Sequence, residues 1–232
     1  MKCLLKLGCA VTVAALIWPV MSVAQTDVEV IESVEPDSLL TESIPPELEG
    51  AVASMAEGDF AAAAVELGSL VVQDTANVPA MRLLASAYAR LEAYSQAAQV
   101  ASRVAALDSA DAGVRLALGY YHQKQGDVQL AEMYYSQAVE LDPGLIQGYQ
   151  GLGWIYLQRQ ELERALSMVT RTTERAPDYA PNYLLMGRAL TAQGFYENAM
   201  RAYERAFVLR PDLRERYGIL LQELAIRHEI GR

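Results

Sequence analysis

Thiols are nearly missing from this chain. Its two cysteines, Cys3 and Cys9, stand within the first ten residues, so nothing downstream can form a disulfide or a cysteine-ligated metal site. Histidine is as scarce, with only His122 and His228, which removes the commonest proton carrier and metal ligand from most of the sequence. Lysine thins out too: after Lys2 and Lys6 there is only Lys124, although arginine is common. Beyond Val23 no apolar run approaches the roughly 20 residues that a membrane-spanning helix needs. With 29 acidic against 19 basic side chains and a net charge of -10, the chain is poorly suited to holding nucleic acid by bulk electrostatics.

What is present begins with an unusual amino terminus. Lys2 and Lys6 precede the apolar run Leu7 to Val20, and Ser22-Val23-Ala24 supplies the small residues at which a signal peptidase cuts. We expect a signal peptide over residues 1–24, cleaved near Ala24, and hence a periplasmic or secreted protein. The alternative is a membrane anchor in the form of an uncleaved signal, but a run of about 14 residues broken by Pro19 is short for a span. Cys9 opens the apolar run instead of closing it, which argues against lipidation. Taking Lys2 and Lys6 from the net charge of -10 leaves -12. Residues 25–43 contain Asp27, Glu29, Glu32, Glu35, Asp37 and Glu42 without a base, and they read as an acidic disordered linker.

From residue 44 the sequence repeats itself. Pro143, Pro177 and Pro211 are 34 residues apart, a period that signals stacked units of one supersecondary element. Five blocks follow without insertion: 44–77, 78–111, 112–145, 146–179 and 180–213. Their twentieth position is Ala63, Ala97, Ala131, Ala165 and Ala199. The eighth is always small (Ala51, Ala85, Gly119, Gly153, Gly187), whereas the twenty-fourth ranges from Ala101 through Leu67 and Val169 to Tyr135 and Tyr203. Gly58, Gly126 and Gly194 mark a break between two helices in each unit, with Glu92 and Gln160 replacing glycine in the other two. Asp142-Pro143, Pro177-Asp178 and Pro211-Asp212 end one unit and open the next, since proline cannot continue a helix and aspartate is expected to cap one. Residues 214–229, with Tyr217, Leu220, Leu221 and Leu224, read as a terminal capping helix.

This pattern resembles the tetratricopeptide repeat (TPR) family, in which a Leu-Gly pair such as Leu118-Gly119, a central alanine and a terminal proline recur in a helix-turn-helix unit. The resemblance implies an all-α fold, a right-handed superhelical α-solenoid, that acts as a non-catalytic interaction scaffold or adaptor. It also implies a concave groove lined by the first helix of each unit, here by Arg82, Ser86, Arg90, Tyr120, Gln123, Lys124, Gln150, Trp154, Gln158 and Arg188. The twenty positions considered contain no acid, so the groove is expected to be neutral to basic. It would suit a protein or peptide partner that is acidic or ends in a carboxylate. Small exported TPR proteins accompany pilus, secretion and polysaccharide-export machines of the cell envelope, and peripheral association with such a complex is the expected setting. A self-assembling homo-oligomer, stacked through Ile44, Leu48, Val52 and Met55, is the alternative.

Candidates for catalysis are few. His122 has no cysteine or second histidine near it in the repeat pattern and reads as a packed residue. Gly148, Gly151 and Gly153 fall inside an expected helix, not after a strand, so they do not form a phosphate loop. Glu161 and Glu163 sit at a turn. No catalytic residue, metal site or cofactor is expected, and asparagine is missing from the positions that clamp chaperone carboxyl termini.

Overall fold

The computed structural model describes residues 45–230. The expected signal peptide and acidic linker lie outside the described residues. A short 3-10 turn, Pro46–Leu48, leads into eleven helices: α1 Glu49–Ala56, α2 Phe60–Gln73, α3 Val78–Arg90, α4 Tyr94–Leu107, α5 Ala112–Lys124, α6 Val128–Leu141, α7 Ile146–Gln158, α8 Leu162–Arg175, α9 Ala180–Ala192, α10 Tyr196–Leu209 and α11 Leu213–Ile230. No strand occurs among the described residues. Successive helices pack in chain order as an α-solenoid, and α5 also touches α7, as α7 touches α9. No described helix is long and apolar enough to cross a membrane.

The turn within each unit has one geometry. Gly58, Gly126 and Gly194 adopt φ of 83°, 82° and 82°, and Glu92 and Gln160 hold the same left-handed conformation at 58° and 61°. Glycine enters this region freely, whereas a Cβ collides with the following carbonyl. The turn is therefore imposed by packing in the two units that lack glycine.

Loop aspartates behave differently from the expectation. Asp178 does not cap α9 but pairs with Arg205 (3.4 Å), and Asp212 pairs with Arg210 (2.6 Å). The side-chain N-caps observed are Asp59, Asn77 and Asp111, whose Oδ1 atoms accept from Ala62, Ala80 and Val114 N–H at 2.9, 2.9 and 3.0 Å. Asp74, Asp108 and Asp142 instead close the loop between units by accepting from the N–H two residues on, at 2.9, 3.0 and 2.8 Å. Proximity in sequence to a helix start was misleading because Tyr179, not Asp178, occupies the N-cap position.

The core follows the repeat. All five alanines at the twentieth position are fully buried. The eighth and twenty-fourth positions meet, and their sizes compensate: glycine faces tyrosine in two units. A Cβ on Gly119 would lie 2.6 Å from the Tyr135 ring, and one on Gly187 would lie 2.8 Å from Tyr203. Gly151 presses on the other side of Tyr135, where a Cβ would approach to 2.5 Å. The glycines of α7 thus admit side chains of neighbouring helices. At the amino-terminal end Leu48 is fully buried and Val52 and Met55 are half-buried, so these three residues of the expected stacking patch are not fully exposed, and Ile44 lies outside the described residues. At the other end Leu213, Tyr217 and Leu224 of α11 are buried.

Candidate partner-binding face

The odd-numbered helices α3, α5, α7 and α9 supply the residues expected to line the groove. Each begins at the same repeat position, so a given place on one helix recurs on the next after 34 residues. This register puts Arg90 and Lys124 at equivalent places. Arg90 is exposed and its guanidinium lies 4.6 Å from the centre of the Phe60 ring. Lys124 Nζ lies 5.4 Å from the Tyr120 ring centre. Tyr120 meets Tyr94 edge-on at 6.1 Å and Tyr121 at 5.9 Å. Phe60 and Tyr94 are likewise 34 residues apart and open α2 and α4. Two cation-aromatic groupings therefore stand one repeat apart, each stabilised by the ring quadrupole. Burial foremost, then the neighbouring Tyr120, pushes the Tyr94 phenol up, so it remains an uncharged donor beside Lys124.

The other expected residues divide sharply. Arg82 is half-buried and forms an ion pair with Asp111, the cap of α5. Burial holds its guanidinium below the ordinary arginine value, with Asp108 opposing. Gln158 is exposed and Arg188 half-buried. Ser86, Gln123, Gln150 and Trp154 are buried, at 3, 8, 3 and 7% exposure, and this corrects their expected place on an open wall. The physical cause is the closeness of neighbouring helices. Gln123 Oε1 accepts from the Tyr135 hydroxyl at 2.6 Å, and Gln150 Nε2 donates to Asn182 Oδ1 at 2.6 Å. Asn182 is fully buried, and its Nδ2 donates to the Thr172 and Ala176 carbonyls at 3.0 and 3.2 Å. The two glutamines tie adjacent helices together instead of facing a partner. Trp154, one turn beyond Gln150 on α7, is buried with it.

Asn182, Phe60 and Tyr94 were missed from sequence. The 34-residue separation of Phe60 and Tyr94 was a usable signal, because it places an aromatic residue at the same turn in successive units. Asn182 gave none, since a single asparagine early in a helix also suits a solvent-facing position.

His122 is no site. Its ring stacks on Tyr134 at 5.4 Å and 12°, with Nδ1 3.9 Å from the Asp127 carboxylate. Glu132, Glu161, Arg159, Arg164 and Tyr156 form a charged cluster linking α6 to the α7–α8 turn, in which Arg164 Nη2 donates to the Tyr156 hydroxyl at 2.8 Å. No group of three or more His, Cys, Asp or Glu residues is arranged to hold a metal among the described residues.

Family models described as tetratricopeptide repeat match residues 122–190 and 180–213. A crystal structure of MamA is similar, with a TM-score of 0.66 and 19% identity over 75% of this chain and 99% of that one. The thermophilic TPR protein TTC0263 of Thermus thermophilus has a TM-score of 0.61 at 18% identity, covering 76% and 97%. YrrB, described as a TPR protein with an unusual peptide-binding site, gives 0.59 at 20%, covering 82% and 94%. In sequence, 133 residues are 25% identical to the human protein O-mannosyl-transferase TMTC1. That stretch is 56% of this chain but only 15% of the human protein. A repeated two-helix unit, stacked in order and matched by these models and structures, defines a protein-interaction scaffold. Residues 122–213 carry tetratricopeptide repeats.

Proposed function

We propose that this array is a non-catalytic adaptor of the bacterial cell envelope, periplasmic or secreted, that holds an extended partner segment along α3, α5, α7 and α9. The segment is acidic or ends in a carboxylate. Assembly of pili, secretion or polysaccharide export supplies the setting. The observation that carries this reading is the pair of aromatic-backed cations, Arg90 over Phe60 and Lys124 over Tyr120, at one repeat position of neighbouring units. Cations held on rings accept carboxylates with little further ordering of their side chains. The peptide-binding site named for YrrB is consistent with such a role in a structure of like fold. Placing a photo-crosslinking residue at exposed Gln158 and sequencing the captured peptide tests the proposal. The peptide should carry an acidic stretch or a chain terminus, and Arg90→Glu with Lys124→Glu should weaken its binding about tenfold or more. Equal binding by the charge-reversed protein removes the groove reading.

A further inference from the structure

The fourth and fifth units each set an arginine over a tyrosine at the same two repeat positions, so one pair serves as a control for the other. The Arg205 guanidinium of α10 lies 5.8 Å from the centre of the Tyr183 ring of α9. That of Arg171 in α8 lies 5.7 Å from the Tyr149 ring of α7, each residue 34 places before its counterpart. Around Tyr183 the preceding loop answers both polar groups. Arg205 pairs with Asp178 at 3.4 Å, and the Tyr183 hydroxyl donates to the Pro177 carbonyl at 2.9 Å. Around Tyr149 neither answer is available. The place of Asp178 is held by Gly144, which has no side chain to offer. The counterpart of the Pro177 carbonyl, that of Pro143, accepts from Arg175 instead. Arg175 stands where the next unit has Leu209, and its guanidinium lies 5.4 Å from the same Tyr149 ring. Relative to its neighbour, the fourth unit has lost one carboxylate and gained one guanidinium.

Arg171 and Arg175 stand one helical turn apart, a like-charge spacing that is unfavourable until an anion joins the two. The one acid of the α6–α7 loop, Asp142, is turned to the Gly144 N–H at 2.8 Å. Among the described residues no carboxylate pairs with Arg171 or Arg175, Glu174 included, and the Tyr149 hydroxyl has no hydrogen-bond partner. Tyr149 is only 5% exposed, and a polar group left unanswered on so buried a side chain is uncommon. We propose that this corner is a carboxylate-binding site. Arg171, Arg175 and the Tyr149 hydroxyl receive an aspartate, glutamate or terminal carboxylate of a partner polypeptide, in the place that Asp178 fills one unit later. Two guanidiniums offer donors to both oxygens of a planar carboxylate, and the phenol is a further donor. Stacking on one ring orders the arginines before the ligand arrives. Both arginines are exposed, so a free carboxylate is held weakly. One carried on a chain with other contacts stays.

The site does not involve Arg90 or Lys124, and its test is separate from that of the groove. Acetyl-triglutamate amide is titrated into the full chain at low ionic strength while the arginine Nε–H resonances are followed. Arg171 and Arg175 should shift together and saturate, whereas Arg205, whose acid is already in place, should move little. Arg171→Gln with Arg175→Gln should weaken binding about tenfold. Gly144→Asp restores the acid of the next unit and should weaken binding at least about threefold. Gly144→Asn should leave it near the original value. Gly144 is outside the left-handed region, and a Cβ there would lie 3.0 Å from Asp142 Oδ1, so the two substitutions press alike on Asp142 and differ in charge. Shifts at Arg171 and Arg175 no larger than at Arg205 overturn the proposal. Equal binding by the Gly144→Asp and Gly144→Asn proteins overturns it independently.

Discussion

Glu92 and Gln160 are single residues at which local preference and global order disagree. Each sits at φ near 60°, where a non-glycine residue is disfavoured by about 1–2 kcal/mol. Glycine would relieve that cost but would widen the unfolded ensemble, an opposing effect of about 0.4–1 kcal/mol. Glu92→Gly and Gln160→Gly should each stabilise the array by about 0.5–1 kcal/mol, and Gly126→Ala should destabilise it by about as much. Denaturant unfolding of the three variants checks the signs. The break at these positions was legible in sequence because three of five units have glycine there. A second effect at this scale concerns the buried phenols of Tyr121 and Tyr135. Burial pushes both well above the ordinary tyrosine value, so the folded chain holds these protons more tightly than the unfolded one. Stability should hold below about pH 10 and fall above it, by up to about 1.4 kcal/mol per pH unit for each phenol. Tyr121→Phe should make that alkaline fall shallower in denaturation measured from pH 9 upward.

At the scale of helix pairs, the decisive fact is how near two helices come. Gly119 and Gly151 let α5 and α7 close on the Tyr135 ring, whose hydroxyl then reaches Gln123. Gly119→Ala should cost about 1–3 kcal/mol by overpacking. Tyr135→Leu, the residue type paired with Ala51 in the first unit, should reduce that penalty in the double variant, giving a coupling of about 1 kcal/mol in a double-mutant cycle. Additive costs would show that the two residues do not share the strain. Asn182 is the corresponding polar joint. Asn182→Ala removes the partners of Gln150 and of two carbonyls at the end of α8 and should cost about 2–3 kcal/mol, with hydrogen exchange rising at the α8–α9 junction. The same closeness explains what the sequence concealed about the groove. Repeat position shows which side of a helix a residue occupies, but not whether the next helix stands close enough to cover it. Gln123, Gln150 and Trp154 were read onto the right helices and the wrong environment.

Across the whole array, periodicity made the fold legible and composition left charge placement obscure. Residues 45–145 hold thirteen acids against five bases, whereas residues 146–230 hold ten acids and eleven bases. The net charge concealed this polarity, and it sets Arg90 and Lys124 apart as cations in the acidic half. Stability should also be distributed by position, because each unit buries its faces chiefly against its neighbours. The carboxyl-terminal end depends on α11, which packs on α10 and contributes Leu213, Tyr217 and Leu224 to the interior. Ending the chain after Asp212 would expose the side of α10 that carries Tyr203 and Phe207, both now 2% exposed. In a chain of nearest-neighbour interfaces that loss weakens the adjacent unit most and fades with distance. Hydrogen exchange on the truncated protein should therefore show protection lost first in α10, then in α9, with α3 to α5 near their original values. Uniform loss from α3 to α10 would mean that the array unfolds as one cooperative block, and that α11 stabilises the whole stack instead of closing one end.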